Sequence, residues 1–96
     1  MSDSNAGRIR TERRGDVLEI IIDRPAKMNG FTPEMLLGLA QAYTEYERGD
    51  ARCALLWAEG ANFTAGLDLS VTDPSKQLFP PDLIDPLSLR APIRTK

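Results

Sequence analysis

The chain has 96 residues, 42% of them hydrophobic and 27% charged, with a formal net charge of −2 and a pI near 5.0. Such a length carries one domain at most, the composition is that of a soluble globular chain rather than a disordered one, and the acidic balance leaves no footprint for nucleic acid. Its apolar runs are only a few residues long, so none is expected to span a bilayer, and the polar, charged start does not read as a secretory signal.

Residues 1–7 are small and polar and are expected to be a flexible lead, with residues 8–96 forming part of one domain. Residues 8–11 and Val17–Asp23 flank Arg14-Gly15-Asp16, where glycine can take a positive φ, and the pattern predicts a β-hairpin. Four arginines, Arg8, Arg10, Arg13 and Arg14, form a local cluster, but Glu12 interrupts it and Asp16 follows it, so it reads as a solvated strand rather than a nucleic-acid arm. The second arm is rich in β-branched residues, with Glu19 its interior charge, and predicts one well-buried face and one partly covered.

Pro25 ends that strand and opens a loop over residues 24–30. Thr32 then stands as an N-cap with Pro33 at the first helical position, where a missing N–H costs nothing. Met35, Leu36, Leu39, Ala42, Tyr43 and Tyr46 fall on one helix face, with Gln41, Thr44, Glu45 and Arg48 expected on the other, and Gly49 is the natural stop. Cys53–Ala58 is a continuous apolar run of strand length. A helix between two such strands predicts a β-α-β crossover and a parallel pair.

Cys53 is the single cysteine and histidine is absent. No internal disulfide, His general base, His-containing triad or ordinary zinc ligand set can come from this chain, so no metal site is expected. Proton chemistry carried here must use Asp, Glu, Lys or Tyr. A free cysteine in an apolar run behaves as a small hydrophobe, and a cytoplasmic setting is expected. After Ser70, Pro74, Pro80, Pro81, Pro86 and Pro92 break any long helix, while Leu83, Ile84, Leu87 and Leu89 still need cover.

Two stretches carry a resemblance. Ile22-Asp23-Arg24-Pro25-Ala26-Lys27-Met28-Asn29 resembles the strand end and Arg-Pro-x-Lys-x-Asn loop of the crotonase (enoyl-CoA hydratase/isomerase) family. Asn62-Phe63-Thr64-Ala65-Gly66-Leu67-Asp68-Leu69 resembles that family's Phe-x-x-Gly-x-Asp-(Leu/Ile) loop. The likeness covers about residues 9–69, in the family's order of elements. It implies the N-terminal portion of a crotonase-like ββα spiral: hairpin, amphipathic helix, parallel strand and proline-rich loop, incomplete as an α/β domain.

The resemblance further implies binding of an acyl-CoA substrate and stabilisation of a thioester enolate by two backbone N–H groups, with coenzyme A as part of the substrate and no covalent cofactor. The first of those donors would be the Leu67 N–H, after Gly66, whose lack of a side chain allows a sharp turn and close approach. Ala65, Leu67, Asp68 and Leu69 would line one wall of the coenzyme A site and Ala26, Lys27 and Met28 the other. Lys27 is a candidate for a phosphate, or else a solvated loop lysine. Arg24 is expected to anchor its loop, and Asp68 to orient its loop rather than take a proton.

Gly30-Phe31 departs from the family's usual Ala-Leu and is expected to alter the pocket floor. The second oxyanion segment and the catalytic glutamates of the family are expected beyond Lys96, from a complementary C-terminal segment or chain, in a homotrimer or hexamer. Two other readings stand beside the enzyme: a non-catalytic crotonase-like half-domain that assembles with a partner chain, and an unrelated small α/β ligand-binding module.

Overall fold

The computed structural model describes residues 6–71 and 82–86. Three strands form one sheet in the order β1-β2-β3: β1 is Arg8–Arg14, β2 is Val17–Asp23 and β3 is Cys53–Ala58. β1 runs antiparallel to β2 with Arg14 opposite Val17, which leaves Gly15 and Asp16 as the turn, Gly15 at φ +59°. The first strand is thus longer than residues 8–11. Its pairing runs right up to the turn, with Arg13 opposite Leu18 and Glu12 opposite Glu19.

β2 and β3 are parallel, with Val17 opposite Cys53 and Ile22 opposite Ala58, joined through helix α1, Pro33–Arg48. Thr32 caps that helix, its Oγ1 accepting from the Met35 N–H at 3.1 Å, a contact worth about 1 kcal/mol. The helix stops at Gly49, whose backbone is extended (φ −93°) rather than left-handed. Glycine fits there for want of space, since a Cβ would stand 2.9 Å from the Glu45 carbonyl oxygen.

The core lies between α1 and one sheet face. Leu18, Ile20 and Ile22 of β2 meet Met35, Leu36, Leu39 and Ala40, with Ile9, Leu56 and Ala58 packed at the edge. Gly38 lets helix and hairpin approach, because a Cβ there would be 3.3 Å from that of Ile9. On the other sheet face Ile21 is fully buried, and Glu19 is buried between the Trp57 indole, which donates to it at 2.9 Å, and the Arg14 guanidinium. Ion pairs join Arg8 and Arg10 to Asp23, and Arg10 to Glu59, across that same face.

Two placements differ from the sequence pattern. Thr44 is buried rather than solvated: its hydroxyl donates to the Ala40 carbonyl (2.8 Å) and accepts from the Ile84 N–H (3.0 Å). Residues 82–86 return over this side of α1, burying Ile84 and bringing the Asp82 carbonyl to Arg48. Leu83 and Ile84 thus find their cover, while Pro74, Pro80, Pro81, Leu87, Leu89 and Pro92 lie outside the described residues. Cys53 is exposed, because it begins β3, which has β2 on only one side among the described residues. No helix among the described residues is long and apolar enough to cross a membrane.

Candidate functional site

The two motif loops, one leaving β2 and the other leaving β3, meet at the ends of adjacent parallel strands. Pro25–Lys27 form a single 3-10 turn, after which Met28 and Asn29 both take left-handed backbone angles (φ 52° and 57°). For residues other than glycine that conformation costs on the order of 1–2 kcal/mol each, so the surroundings must enforce it. They do so chiefly through Asn29, which is completely buried.

The Asn29 side chain uses all its hydrogen-bonding directions that matter here. Its Oδ1 accepts from the Arg24 N–H (2.7 Å), and its Nδ2 donates to the carbonyls of Glu59 (2.7 Å) and Asn62 (2.6 Å). Its main-chain carbonyl accepts from the Thr64 hydroxyl (2.6 Å), which in turn accepts from the Gly66 N–H (3.0 Å). A primary amide is the one neutral side chain of this size that offers an acceptor and two donors at once.

Arg24 and Asp68 tie the loops a second time. The Arg24 guanidinium, nearly buried, donates through Nη1 to the Gly30 carbonyl (3.0 Å) and to Asp68 Oδ2 (2.7 Å). The other Asp68 oxygen accepts from the Ser70 hydroxyl (2.5 Å) and the Ser70 N–H (3.0 Å). The Ser70 hydroxyl, then the Arg24 side chain, then the Ser70 N–H lower the Asp68 carboxyl from 3.8 to about 2. A carboxylate so held is a poor proton acceptor, and both residues act as loop anchors.

Finally, a short parallel bridge pairs Phe31 with Leu67: the Phe31 N–H donates to the Gly66 carbonyl (2.7 Å) and the Asp68 N–H to the Phe31 carbonyl (2.9 Å). Every described peptide bond is trans, and in a trans peptide the N–H and C=O point opposite ways. The Leu67 N–H shares its plane with the Gly66 carbonyl and therefore points away from Phe31. Among the described residues it has no hydrogen-bond partner.

Between the loops lies an open cleft of ≈ 460 Å³ lined by Ala26, Lys27, Met28, Gly30, Ala65, Leu67, Asp68 and Leu69. Every position nominated for the two walls is on it. Gly66 is not a lining residue; it stands behind at φ +89°, an angle that favours glycine. Gly30 lies on the cleft floor, whereas Phe31 is buried in the core, so of that departing pair only the glycine meets the cleft. Lys27 is exposed on the rim and forms no ion pair among the described residues. Sequence reasoning gave no role to Asn29 or Thr64, although both stand inside the quoted motifs; an asparagine just before Gly30, after a broken strand, was the available signal.

These features define a class: an α/β unit whose parallel-strand ends carry a cleft with an unpartnered, oriented backbone donor. No family model matches the chain. It is 39% identical over 59 residues to the enoyl-CoA hydratase EchA19 of Mycobacterium tuberculosis, and 40% identical over 55 residues to the 1,2-epoxyphenylacetyl-CoA isomerase of Escherichia coli. The matches take in 60% and 56% of this chain but 22% and 21% of those relatives. A crystal structure described as a probable enoyl-CoA hydratase/isomerase from Mycobacterium abscessus superposes with a TM-score of 0.77 at 43% identity, over 93% of this chain and 35% of that one. These relatives are enoyl-CoA hydratase/isomerase (crotonase) family members, and the chain carries the N-terminal part of that family's fold.

Proposed function

We propose that the cleft binds the coenzyme A portion of an acyl thioester, and that the Leu67 N–H is one donor of an oxyanion hole in an enoyl-CoA hydratase/isomerase-type enzyme. The observation that supports this most is the Gly66–Leu67 peptide. Its carbonyl is engaged by Phe31 and its N–H is oriented and unpartnered beside a cleft. Loss of a proton next to a thioester carbonyl places negative charge on the carbonyl oxygen. A preorganised donor aimed there stabilises that charge without reorganising, and deleting one such donor costs about 2.7–4 kcal/mol of barrier.

The roles divide by chemistry. Lys27 is the cation for a phosphate of coenzyme A, while Met28, Ala65 and Leu69 supply apolar wall. Asp68, held ionised by Ser70 and Arg24, orients its loop. The acid and base that choose between hydration and isomerisation come from elsewhere in the complete enzyme, as do the second oxyanion donor and the contacts of a trimer or pair of trimers. Sedimentation of that enzyme checks the assembly.

The donor itself is tested in the complete enzyme by two variants at one position. Leu67→Ala keeps the N–H and should retain most turnover of crotonyl-CoA. Leu67→Pro deletes it and should lower the rate by roughly 10²–10³. Proline also restrains Gly66, so binding is the control. A thioether analogue lacking the carbonyl should lose much less affinity than turnover loses rate. If the two variants turn over alike, or rate and affinity fall together, Leu67 is not the donor.

A further inference from the structure

Thr64 is neither a lining residue of the cleft nor a core residue, yet its hydroxyl joins the two loops one peptide before the candidate donor. It donates to the Asn29 carbonyl at 2.6 Å and accepts from the Gly66 N–H at 3.0 Å. We propose that Thr64 is a positioning residue: its hydroxyl sets the orientation of the Gly66–Leu67 peptide, and hence the aim of the Leu67 N–H at a bound thioester carbonyl. The inference rests on the oxyanion reading above and deepens it.

The physical case is one of counting restraints. The Gly66–Leu67 peptide plane is flanked by ψ of Gly66 and φ of Leu67, and glycine restrains its own torsions less than any other residue. At φ +89°, with nothing within 4 Å of where a Cβ would lie, steric contact does not hold it either. Two hydrogen bonds restrain Gly66 itself, one on each side of its Cα, while the Asp68 N–H on the Phe31 carbonyl holds the far side of Leu67. The Phe31 N–H holds the Gly66 carbonyl at 2.7 Å, and the Thr64 hydroxyl holds the Gly66 N–H. The first bond comes from a backbone group and survives any substitution of a side chain. The second depends on one hydroxyl.

That hydroxyl is itself fixed, because its proton is committed to the carbonyl of Asn29, whose side chain is anchored to Arg24, Glu59 and Asn62. The acceptor lone pair must therefore face Gly66. Removing the hydroxyl frees Gly66 to rotate while leaving the Leu67 N–H chemically intact. Aim is lost and the donor is kept. A misplacement of about 1 Å at a reacting centre can cost up to 10²-fold in rate, so the consequence belongs to chemistry rather than to affinity.

The experiment uses the complete enzyme and butyryl-CoA labelled with ¹³C at the thioester carbonyl, a saturated ligand that cannot be hydrated. Carbonyl polarisation on binding is read as the downfield ¹³C shift, and affinity by titration calorimetry. With the parent protein the carbonyl should move downfield. Thr64→Val should lose most of that shift, with affinity changed by less than about threefold. Thr64→Ser, which restores the hydroxyl without the methyl, should recover it. In the complete enzyme Thr64→Val should lower kcat about tenfold with little change in KM. If Thr64→Val keeps the full shift while the parent shows one, Thr64 does not position the donor although Leu67 remains a donor. If serine fails to restore the shift, or shift and affinity fall together, Thr64 is a packing residue and the inference is wrong. No shift in the parent protein itself overturns both this and the Leu67 assignment.

Discussion

Arg24 and Asp68, 44 residues apart in the chain, meet through a 2.7 Å hydrogen bond between Arg24 Nη1 and Asp68 Oδ2, with the arginine nearly buried. The pair closes the gap between the loop that leaves β2 and the loop that leaves β3. It does so at the point where both turn toward the cleft. Because the same arginine also holds the Gly30 carbonyl, the two cleft walls share one cation.

This pairing makes stability depend on acid. The folded carboxyl of Asp68 lies at about 2 against an ordinary 3.8, held down first by the Ser70 hydroxyl and then by Arg24. A depressed folded value means the contribution is fully present above about pH 5 and is lost as pH falls through that interval. Asp68→Asn should therefore lower the urea midpoint at neutral pH, with the gap to the parent closing between about pH 4 and pH 2. Fluorescence of Trp57, the single tryptophan, follows the transition. A gap that stays constant down to acid would show that the carboxylate is not its source.

Asn29 is the more sensitive position. Asn29→Ala leaves the carbonyls of Glu59 and Asn62 and the N–H of Arg24 without their present partner. Buried groups stranded in this way cost about 1–3 kcal/mol each before water relieves them, so a loss of about 2–4 kcal/mol is expected by chemical denaturation. Asn29→Asp should not rescue it at neutral pH, since a carboxylate cannot donate to two carbonyls. A variant with aspartate as stable as the parent would sink this account.

Thr44→Val tests the return of residues 82–86 over α1. Valine keeps the shape but removes the acceptor for the Ile84 N–H. Hydrogen exchange at the Ile84 amide should speed up by roughly 10-fold or more, corresponding to a bond of about 1–1.5 kcal/mol, with amides of β2 little affected. Unchanged protection at Ile84 would mean that something other than Thr44 holds the segment.

Much of the frame was legible from local pattern alone. The β-branched run of Val17–Asp23, the Thr32-Pro33 start and the apolar Cys53–Ala58 run each state their own backbone preference within a few residues. The hairpin turn at Gly15 needs no distant partner either. The motif loops also announced the cleft-lining positions, since residue type and spacing travel with the motif. Where the pattern misled, the cause was a distant contact. Thr44 reads as a solvated helix position until residues 82–86 cross it, and Cys53 reads as a small hydrophobe in an apolar run, whereas it is exposed on a strand with a neighbour on one side only among the described residues.

The chemistry of the cleft was decided by tertiary structure. Arg24 finds Asp68 across 44 residues, Asn29 finds Glu59 and Asn62 across 30 and 33, and Thr64 finds Asn29 across 35. No periodicity encodes such pairs, because each becomes favourable only after the parallel strands have brought the loop ends together and excluded competing water. The direction of the Leu67 N–H belongs to the same level. Sequence specifies a peptide bond there, but the hydrogen bond from the Phe31 N–H to the Gly66 carbonyl turns the Leu67 N–H away from Phe31, with the Thr64 hydroxyl holding the peptide before it.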